Sequence, residues 1–347
     1  MKKFMVVAAI LVFALSIIGC GGAKPSAPAQ TPAAAPAKIT LNLATPDPET
    51  SSITVAAKEY AKRVGEKSKG SIEIKVFPNG SLYGADPSAA VKQLGGGSLD
   101  MLLLSTSLYA NFQPYFNVIS IPYMFDNTDQ FLKFLNDQPG QKLLTGLDKL
   151  GIKGVGLWTR SFRQITNSKN AIYTPNDLKG IKLRVPNNPL WVEFFKEAGA
   201  VPTPMAFGEV YNALQLKTID GQENPVDIPM SAKFYEVQKY LSMSNHMADA
   251  WILGANSAKF AKLTPEQQKL LTDVAKEVQG FKLDYDKTED KKAVDFLKGK
   301  KVEVNELTPE QQKQFVAVSK KLYPKFKELV KDDAFFESVL KFVGKDK

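Results

Sequence analysis

The chain has 347 residues, of which 44% are hydrophobic and 23% charged, and its formal net charge is +9. Its length predicts two domains, and its composition is typical of a globular protein with sizeable cores. One cysteine and one histidine exclude a disulfide within the chain and a Cys/His zinc site; no acidic calcium-loop motif is present, so neither metal nor cofactor is expected. The lysines are scattered among carboxylates, which predicts a mixed-charge surface and no nucleic-acid partner.

The first twenty residues have the pattern of a secretion signal. Met1-Lys2-Lys3 is basic, residues 4–18 are almost all apolar, and Gly19 precedes the only cysteine, Cys20. An apolar run of about 15 residues matches a signal-peptide core and is short for a membrane span. Its end resembles a bacterial lipobox, which implies a lipoprotein signal peptide at 1–19 and lipidation of Cys20. A plain signal peptide with an incidental cysteine is the alternative.

Residues 20–38 form a segment rich in proline and alanine that begins at Cys20. Such a composition cannot build a core and predicts an extended, partly polyproline-II tether. A lipidated cysteine, a tether and a globular body predict an extracytoplasmic protein, in the periplasm or on the outer face of the cell membrane, held to the membrane by the lipid on Cys20.

The first part of the body alternates between strands and helices. The predicted elements are strands at 39–44, 72–77 and 99–104 and helices at 51–70 and 86–94. Ser51 and Asp86 are good helix caps, and Pro87 suits a first helical position. Two strand–helix–strand units in about 65 residues predict a parallel α/β sheet.

The middle of the chain continues with shorter elements, and the end is helical. Helices are predicted at 128–135, 140–150, 189–198, 207–216 and from Pro225, and strands at 152–158, 162–166, 181–185, 219–222, 240–244 and 251–256. After Thr264 the pattern changes to long, charged, amphipathic helices. Thr264-Pro265-Glu266-Gln267-Gln268 recurs at 308–312, and both copies predict helix starts with proline in the first turn.

The strand at 181–185 carries a candidate binding residue, Arg184. Leu183 and Val185 alternate with Lys182 and Arg184, and Pro186 should end the strand. Arg184 would then lie at the carboxyl end of a strand, where open α/β sheets bind ligands. A guanidinium there can hold a carboxylate by two parallel hydrogen bonds, although an ordinary surface arginine would give the same local pattern.

Five ordered motifs resemble one protein family. They are FRQITNS (162–168), DLKGIKLRVP (177–186), PTPMAFGEVY (202–211), DGQENP (220–225) and FYEVQKY (234–240). Together they resemble the DctP-like extracytoplasmic solute-binding subunits of TRAP transporters, the tripartite ATP-independent periplasmic family. The resemblance covers essentially the whole chain from Ile39.

The resemblance implies an α/β fold of the periplasmic-binding-protein type, with two lobes, a ligand cleft between them and a long bridging helix. Its mapping gives a first lobe at 39–160 plus 250–289 and a second lobe at 161–249 plus 290–347. A protein of this kind binds a small organic acid and delivers it to one small and one large membrane subunit, which use an ion gradient.

The resemblance also implies ligand-binding residues. Arg184 matches the family's principal carboxylate-binding arginine, and Arg163 matches a second arginine that supports the same carboxylate. Asn224 matches an asparagine that contacts the carboxylate, and Phe207 matches an aromatic residue that lines the pocket.

Three further candidates bear on which acid is bound. Arg160 could meet a second carboxylate, which favours a C4-dicarboxylate. Trp158 and Ser105 suit a hydroxylated chain or ring, which makes a uronate or another sugar acid the alternative. For Trp158 and Arg160, structural packing and a solvated arginine remain open as well.

Two other functions are weighed against a transport receptor. A secreted hydrolase could use Glu209, Asp220 and Glu223 as paired carboxylates, but no nucleophile motif surrounds the sole His246, so an enzyme is not expected. A sensor lipoprotein with the same fold is the second alternative, and the sequence does not separate it from a transport receptor.

Overall fold

The computed structural model of the protein describes residues 38–346. Residues 1–37 lie outside this range, and with them the predicted signal peptide, the lipidation site Cys20 and nearly all of the tether. Within residues 38–346, no helix is both long enough and apolar enough to cross a membrane.

The described chain contains eleven strands. In chain order they are β1 (Ile39–Ala44), β2 (Ile72–Phe77), β3 (Met101–Ser105), β4 (Ile152–Thr159), β5 (Gln164–Asn167), β6 (Lys182–Val185), β7 (Val201–Pro204), β8 (Gly221–Asn224), β9 (Tyr240–Met243), β10 (Ala250–Asn256) and β11 (Glu303–Glu306).

The same range contains thirteen α-helices. They are α1 (Ser52–Lys67), α2 (Pro87–Gly96), α3 (Thr106–Tyr109), α4 (Thr128–Asn136), α5 (Gln138–Gly146), α6 (Pro189–Glu197), α7 (Val210–Gln215), α8 (Asp227–Ser231), α9 (Ser257–Phe260), α10 (Pro265–Gly299), α11 (Pro309–Lys321), α12 (Tyr323–Val330) and α13 (Asp333–Val343). Short 3-10 turns connect several of them, among them Pro114–Ser120.

The first lobe is built on a five-stranded sheet in the order β2-β1-β3-β10-β4. Strands β1, β2 and β3 are parallel, as the alternation of strands and helices predicts, and β10 is antiparallel to both of its neighbours. Every residue of β3 and β10 is buried because helices cover both faces of the sheet. Because β10 is antiparallel to both β3 and β4, strand β4 runs parallel to β1 and β3. The carboxyl ends of β1, β3 and β4 consequently meet at one edge.

The second lobe is built on a six-stranded sheet in the order β11-β9-β5-β8-β6-β7. Strands β6, β7 and β8 are parallel, and β5 is antiparallel to β8. The carboxyl ends of β6, β7 and β8 consequently lie at the same edge as the start of β5. At Gly221 the backbone approaches β5 so closely that an added Cβ would lie 2.3 Å from the carbonyl oxygen of Thr166.

Two chain segments and one helix join the lobes. Residues 160–163 lead from β4 to β5, and residues 244–249 lead from β9 to β10. The two segments are bonded to each other, since the Arg163 amide donates to the Met247 carbonyl (3.0 Å) and the His246 amide donates to the Arg163 carbonyl (3.3 Å). The 35-residue helix α10 packs on β4 and α1 near its start and on α8 and β11 near its end.

The three C-terminal helices close the fold on one side. Phe315, Phe326 and Val339 belong to the same apolar core as Phe116 of the first lobe and Phe194 of the second. Because α11, α12 and α13 contribute to a core shared by both sheets, they stabilise the lobes together.

Two strands are not among the predicted elements. Val201–Pro204 (β7) contains two prolines and Glu303–Glu306 (β11) is polar, and both are edge strands of the second sheet. Proline and charge are tolerated at sheet edges, so these segments lack the apolar pattern by which a strand is found in a sequence. The single helix expected at 207–216 is a 3-10 turn, Phe207–Glu209, followed by α7.

Candidate ligand-binding site

A cavity of about 680 Å³, partly open to solvent, lies between the two sheets. Its walls come from the carboxyl ends of β1, β3 and β4 in the first lobe and of β6, β7 and β8 in the second. Its polar lining includes Asp47, Ser105, Arg160, Arg163, Arg184 and Asn224. Because strand ends in such sheets are where ligands bind, this cavity is the candidate site.

Arg184 reaches the cavity from β6 and is 4% exposed. Its Nε and Nη2 atoms donate to the carbonyl oxygen of Met205 at 3.2 and 2.8 Å. Within residues 38–346, no carboxylate lies within ion-pair distance of this guanidinium, unlike those of Arg160 and Arg163. Burial lowers the pKa of Arg184 to about 9, which still leaves it charged at neutral pH. Arg184 is therefore a buried cation without a counter-ion in the described chain.

Arg163 also lines the cavity, but the protein itself supplies its counter-ion. Its Nε and Nη2 atoms donate to the two carboxylate oxygens of Glu223 at 2.5 and 2.7 Å, and both residues are buried. Such a bidentate pair fixes the guanidinium in one orientation. Burial acts to raise the pKa of Glu223, but Arg163 and His246 outweigh it and hold the pKa at about 2.

His246, the only histidine, supports Glu223 from behind. Its Nε2 lies 3.1 Å from the Glu223 carboxylate and its Nδ1 lies 2.8 Å from the Ser244 hydroxyl. Burial lowers the pKa of His246, so the ring is neutral at pH 7. A carboxylate can only accept, so Nε2 carries the proton and Nδ1 accepts from Ser244. The imidazole thus donates a hydrogen bond to Glu223 and does not line the cavity.

Arg160 is held by two partners and an aromatic ring. Its Nη1 lies 3.3 Å from the Asp249 carboxylate, and its Nη2 donates to the Asn224 side-chain oxygen at 3.0 Å. The guanidinium stacks on Trp251, with 4.5 Å from Cζ to the ring centroid. Asp249 neutralises this arginine, and it also accepts from Ser105 (2.6 Å).

The remaining expected residues lie in the cavity with other contacts already made. Asn224 accepts from Arg160 and Arg163 through its side-chain oxygen and donates to Gln222 at 2.6 Å. Ser105 bonds Asp249, and half-buried Phe207 packs beside Phe234 at 6.1 Å between ring centroids. Asn224 and Ser105 therefore orient the arginine cluster as well as lining the cavity.

Trp158 does not line the cavity, which corrects its expected role at the ligand. Its indole N–H donates to the carbonyl oxygen of Ala275 in α10 at 2.8 Å, and the side chain is completely buried. The ring of Tyr60 packs against it edge-on at 6.0 Å. Trp158 thus belongs to the core between β4 and α10. Trp251, paired with Trp158 across the sheet, is the tryptophan that lines the cavity.

Sequence reasoning missed four residues of this site: Asp47, Glu223 as an arginine partner, Asp249 and Trp251. Asp249 directly precedes β10, as Arg160 directly follows β4. Their proximity depends on the antiparallel pairing of β4 with β10, which the sequence does not reveal. Asp47 lies three residues after β1, and this strand-end position was a signal that could have identified it.

The two lobes are hydrogen-bonded across the cavity mouth. The Asn111 side chain donates to the Asn187 carbonyl, and the Asn188 side chain donates to the Ser107 carbonyl, both at 2.8 Å. At the opposite side the Ser52 amide lies 3.4 Å from the Asp227 carboxylate. These hydrogen bonds join the two lobes beside the cavity, which stays partly open to solvent.

No group of His, Cys, Asp or Glu side chains within residues 38–346 has the arrangement of a metal site. The carboxylates at the cavity are instead bound to arginines or, at Asp47, unpaired within the same range. The arrangement can thus bind an anion by direct hydrogen bonds to Arg184.

A family model for bacterial extracellular solute-binding proteins, family 7 (DctP), matches residues 43–329. The chain belongs to this family. It is thus a solute-binding protein of the TRAP type, and the resemblance drawn from the five sequence motifs is confirmed. Members of the family are extracytoplasmic receptors for organic acids that work with membrane subunits.

Two relatives and one solved structure represent the family. The 2,3-diketo-L-gulonate-binding periplasmic protein YiaO of Escherichia coli is 36% identical over 256 residues, 74% of this chain and 77% of that protein. The C4-dicarboxylate-binding protein DctB of Bacillus subtilis is 32% identical over 275 residues, 79% and 77% of the two chains. The sugar acid binding protein DctPAm of Advenella mimigardefordensis, in complex with galactonate, superposes with a TM-score of 0.85 at 32% identity, covering 90% of this chain and 99% of that one. The superposition confirms the predicted two-lobed α/β fold.

Proposed function

We propose that this protein is an extracytoplasmic receptor that binds a small organic acid through Arg184 and delivers it to the small and large membrane subunits of an ion-gradient-driven TRAP transporter. The observation that carries the proposal is the buried, charged Arg184, which has no carboxylate partner among residues 38–346 and lies in a cavity between two lobes. A buried charge without a partner is heavily penalised, so a ligand carboxylate gains most of its binding energy here.

Arg184 supplies a large part of the energy that a specific receptor needs. Charge-assisted hydrogen bonds contribute roughly 1.5–3 kcal/mol each, so a bidentate contact with Arg184 gives about 3–6 kcal/mol of the about 8 kcal/mol that micromolar affinity requires, and other contacts in the cavity supply the rest. A carboxylate on Arg184 also lies near Arg163 and Asn224, which line the same cavity. These two residues are preorganised by Glu223 and Gln222, so little ordering cost accompanies binding.

A sugar acid is the favoured ligand class, and a C4-dicarboxylate is the second candidate. The expectation of a dicarboxylate rested on Arg160 meeting a second carboxylate, but Asp249 already neutralises Arg160. Only Arg184 among the three cavity arginines lacks a carboxylate partner in the described chain. Support for a sugar acid also comes from the relatives named for diketogulonate and galactonate. The relative named for C4-dicarboxylates supports the second candidate.

The three acidic residues that a hydrolase could use are ion-paired or exposed, which favours binding without catalysis. Glu223, a candidate for a hydrolase pair, is buried against Arg163 with a pKa of about 2, so it holds no proton to donate at neutral pH. Glu209 is exposed and Asp220 pairs with Lys169 at 3.2 Å. We therefore propose that the protein is not an enzyme, and an assay for turnover of the bound acid tests this.

Membrane attachment through Cys20 remains part of the proposal, as do the lobe ranges 39–160 plus 250–289 and 161–249 plus 290–347. A lipid anchor would keep the receptor beside its membrane subunits. We expect Cys20→Ser to release the protein from the membrane fraction into the soluble extracytoplasmic fraction. Retention of the variant in the membrane would remove Cys20 as the anchor point.

A ligand screen with purified protein tests the receptor function. We expect sugar acids or C4-dicarboxylates, but not neutral sugars, to raise the melting temperature; a ligand at 100 times its Kd adds about 2.7 kcal/mol of stability. Arg184→Ala should weaken binding by roughly 2–5 kcal/mol, and Arg184→Lys should not restore it, since a single ammonium cannot reproduce the planar fork. Arg63→Ala, which removes a surface arginine paired with Glu59, is the control.

Two outcomes of these experiments would overturn the proposal. One is unchanged affinity in Arg184→Ala, and the other is binding of a neutral sugar but of no acid. Transport is separated from sensing by uptake of the labelled acid into cells. Uptake that requires both the receptor and its membrane subunits supports delivery, whereas a response without uptake supports the sensor alternative.

A further inference from the structure

Asp47 is a buried carboxylate in the cavity that nothing in the described chain neutralises directly. It is 3% exposed and lines the cavity from the first lobe. Its Oδ2 atom has no hydrogen-bond partner within residues 38–346. No lysine or arginine in that range lies within ion-pair distance of it, although Glu223 and Asp249 both have arginine partners.

The backbone holds Asp47 in a fixed position. It lies between Pro46 and Pro48, which restricts the backbone of Thr45 and Asp47 because each of them precedes a proline. Its carbonyl oxygen accepts from the Asn79 amide at 3.0 Å and from the Thr54 hydroxyl at 3.4 Å. The side chain is thus presented to the cavity by a rigid turn directly after β1, and a ligand group can bind it without reordering the loop.

An unpaired buried carboxyl group requires a partner, and the type of partner follows from its chemistry. A carboxylate accepts only, and a protonated carboxyl adds a single O–H donor. A ligand hydroxyl can both donate and accept, so it satisfies either state, whereas a second ligand carboxylate would face a like charge whenever Asp47 is ionised. We propose that Asp47 is the specificity-determining residue of the cavity, selecting a ligand with one carboxylate on Arg184 and hydroxyl groups at its other end. This inference rests on the proposed function.

The charges around Asp47 support the exclusion of dianions. The cations nearest to it are Arg160, Arg163, Arg184 and Lys282. Each of them acts to lower the pKa of Asp47, but burial outweighs them and raises it. Lys282 is bound to Asp286. Asp249 neutralises Arg160, and Glu223 neutralises Arg163. A monoanion therefore uses the one unpaired guanidinium, whereas the second charge of a dianion finds no further unpaired arginine among the cavity residues of the described chain.

A substitution that keeps the shape of the side chain tests the inference. Binding of D-galactonate, D-gluconate, D-galacturonate, succinate and L-malate is measured calorimetrically for the wild type and Asp47→Asn. We expect the wild type to prefer a sugar acid. Asp47→Asn should weaken sugar-acid binding at least 10-fold and strengthen binding of succinate or malate at least threefold. Glu49→Gln, which removes the same charge from an exposed side chain two residues away, is the control and should change neither affinity more than twofold.

The outcomes separate this inference from the proposed function. If Arg184→Ala abolishes acid binding while the ratio of sugar-acid to dicarboxylate affinity changes less than threefold in Asp47→Asn, Asp47 does not set specificity and the receptor function stands. The same conclusion follows if the wild type prefers succinate or malate to every sugar acid. If no acid in the panel binds, both proposals fail. The melting temperature of Asp47→Asn without ligand should lie within a few degrees of the wild-type value, because the variant loses the attraction to the nearby cations but no longer buries a carboxylate.

Discussion

Three arginines in one cavity differ in role because their neighbours differ. Arg163 is paired with Glu223, and Arg160 is shared between Asp249 and Asn224, so carboxylates of the protein itself balance both charges. Within residues 38–346, Arg184 donates only to the carbonyl oxygen of Met205 and has no carboxylate within ion-pair distance. At the residue scale, therefore, the partner of a side chain decides its function more than its type does.

We expect the Glu223–Arg163 pair to contribute strongly to the way the free energy of unfolding depends on pH under acidic conditions. The pKa of Glu223 is depressed in the folded protein, so its stabilising contribution is present above the unfolded value near pH 4.5 and is lost as pH falls towards about 2. We expect Glu223→Gln to lower the free energy of unfolding by about 3 kcal/mol at pH 7, since it leaves Arg163 buried without a counter-ion.

Urea denaturation at pH 7 and pH 3 measures this effect. The difference between wild type and Glu223→Gln should shrink at pH 3, because the Glu223 carboxyl is already protonated in the unfolded chain while it stays largely ionised in the folded protein. Glu310→Gln on the exposed surface serves as the control. An equal loss of stability at both pH values would show that the charge of Glu223 is not what stabilises the site.

At the scale of elements, strand β4 illustrates how one segment serves two purposes. Near its end Trp158 packs under helix α10, and immediately after it Arg160 turns into the cavity. Gln279 of α10 also donates to the Leu157 carbonyl of β4 at 2.6 Å. The helix thus fixes the strand end from which Arg160 projects.

The packing of β4 on α10 gives a prediction that distinguishes the two tryptophans. Trp158→Phe should destabilise the protein by about 1–2 kcal/mol, because the buried hydrogen bond to Ala275 is lost, and should leave ligand affinity within twofold of the wild type. Trp251→Phe should weaken ligand binding about threefold or more, because Arg160 stacks on its ring. Thermal melts and calorimetry on both variants measure these effects. Reduced affinity in Trp158→Phe without loss of stability would return Trp158 to the binding site.

At the scale of the whole molecule, acidic residues gather where the lobes meet. Asp227 of the second lobe is partly buried beside Ser52 at the start of α1. Burial raises the pKa of Asp227 to about 7, with Arg160 and Lys282 opposing the rise and Asp286 and Asp290 adding to it. Burial likewise raises the pKa of Asp290 to about 6.

From these raised pKa values we expect the protein to be most stable at mildly acidic pH. Between pH 4 and pH 7 the folded protein keeps protons on Asp227 and Asp290 that the unfolded chain releases, so the free energy of unfolding should fall as pH rises. Glu223 has the opposite effect at lower pH, where it makes the free energy of unfolding rise with pH. We therefore expect maximal stability near pH 5. The decline from pH 5 to pH 8 should be about 1–3 kcal/mol.

Urea titrations across this range measure the decline, and Asp227→Asn tests its origin. The variant should be more stable than the wild type at pH 8 and nearly equal to it at pH 5. Asp129→Asn, which removes a carboxylate from the first turn of α4, is the control. A wild-type profile that rises steadily from pH 5 to pH 8 would contradict the assignment of raised pKa values at the lobe junction.

Local sequence patterns determined most of the elements and the family. Capping residues placed the starts of α1, α2 and α10, and alternation placed β2 and β6, because these signals act over a few neighbouring residues. The edge strands β7 and β11 escaped detection because they lack an apolar face. The ordered motifs around Arg163, Arg184 and Asn224 were sufficient to recognise a TRAP solute-binding protein.

Only the tertiary structure decided which charges are paired. Arg163 meets Glu223 and Arg160 meets Asp249 across 60 and 89 positions of sequence, and these contacts depend on strand pairings that form only in the folded chain. The same pairings put Trp158 into the core and Trp251 into the cavity. The arginines of the site could thus be identified from the sequence, whereas the pairing of their charges exists only where distant strand ends converge.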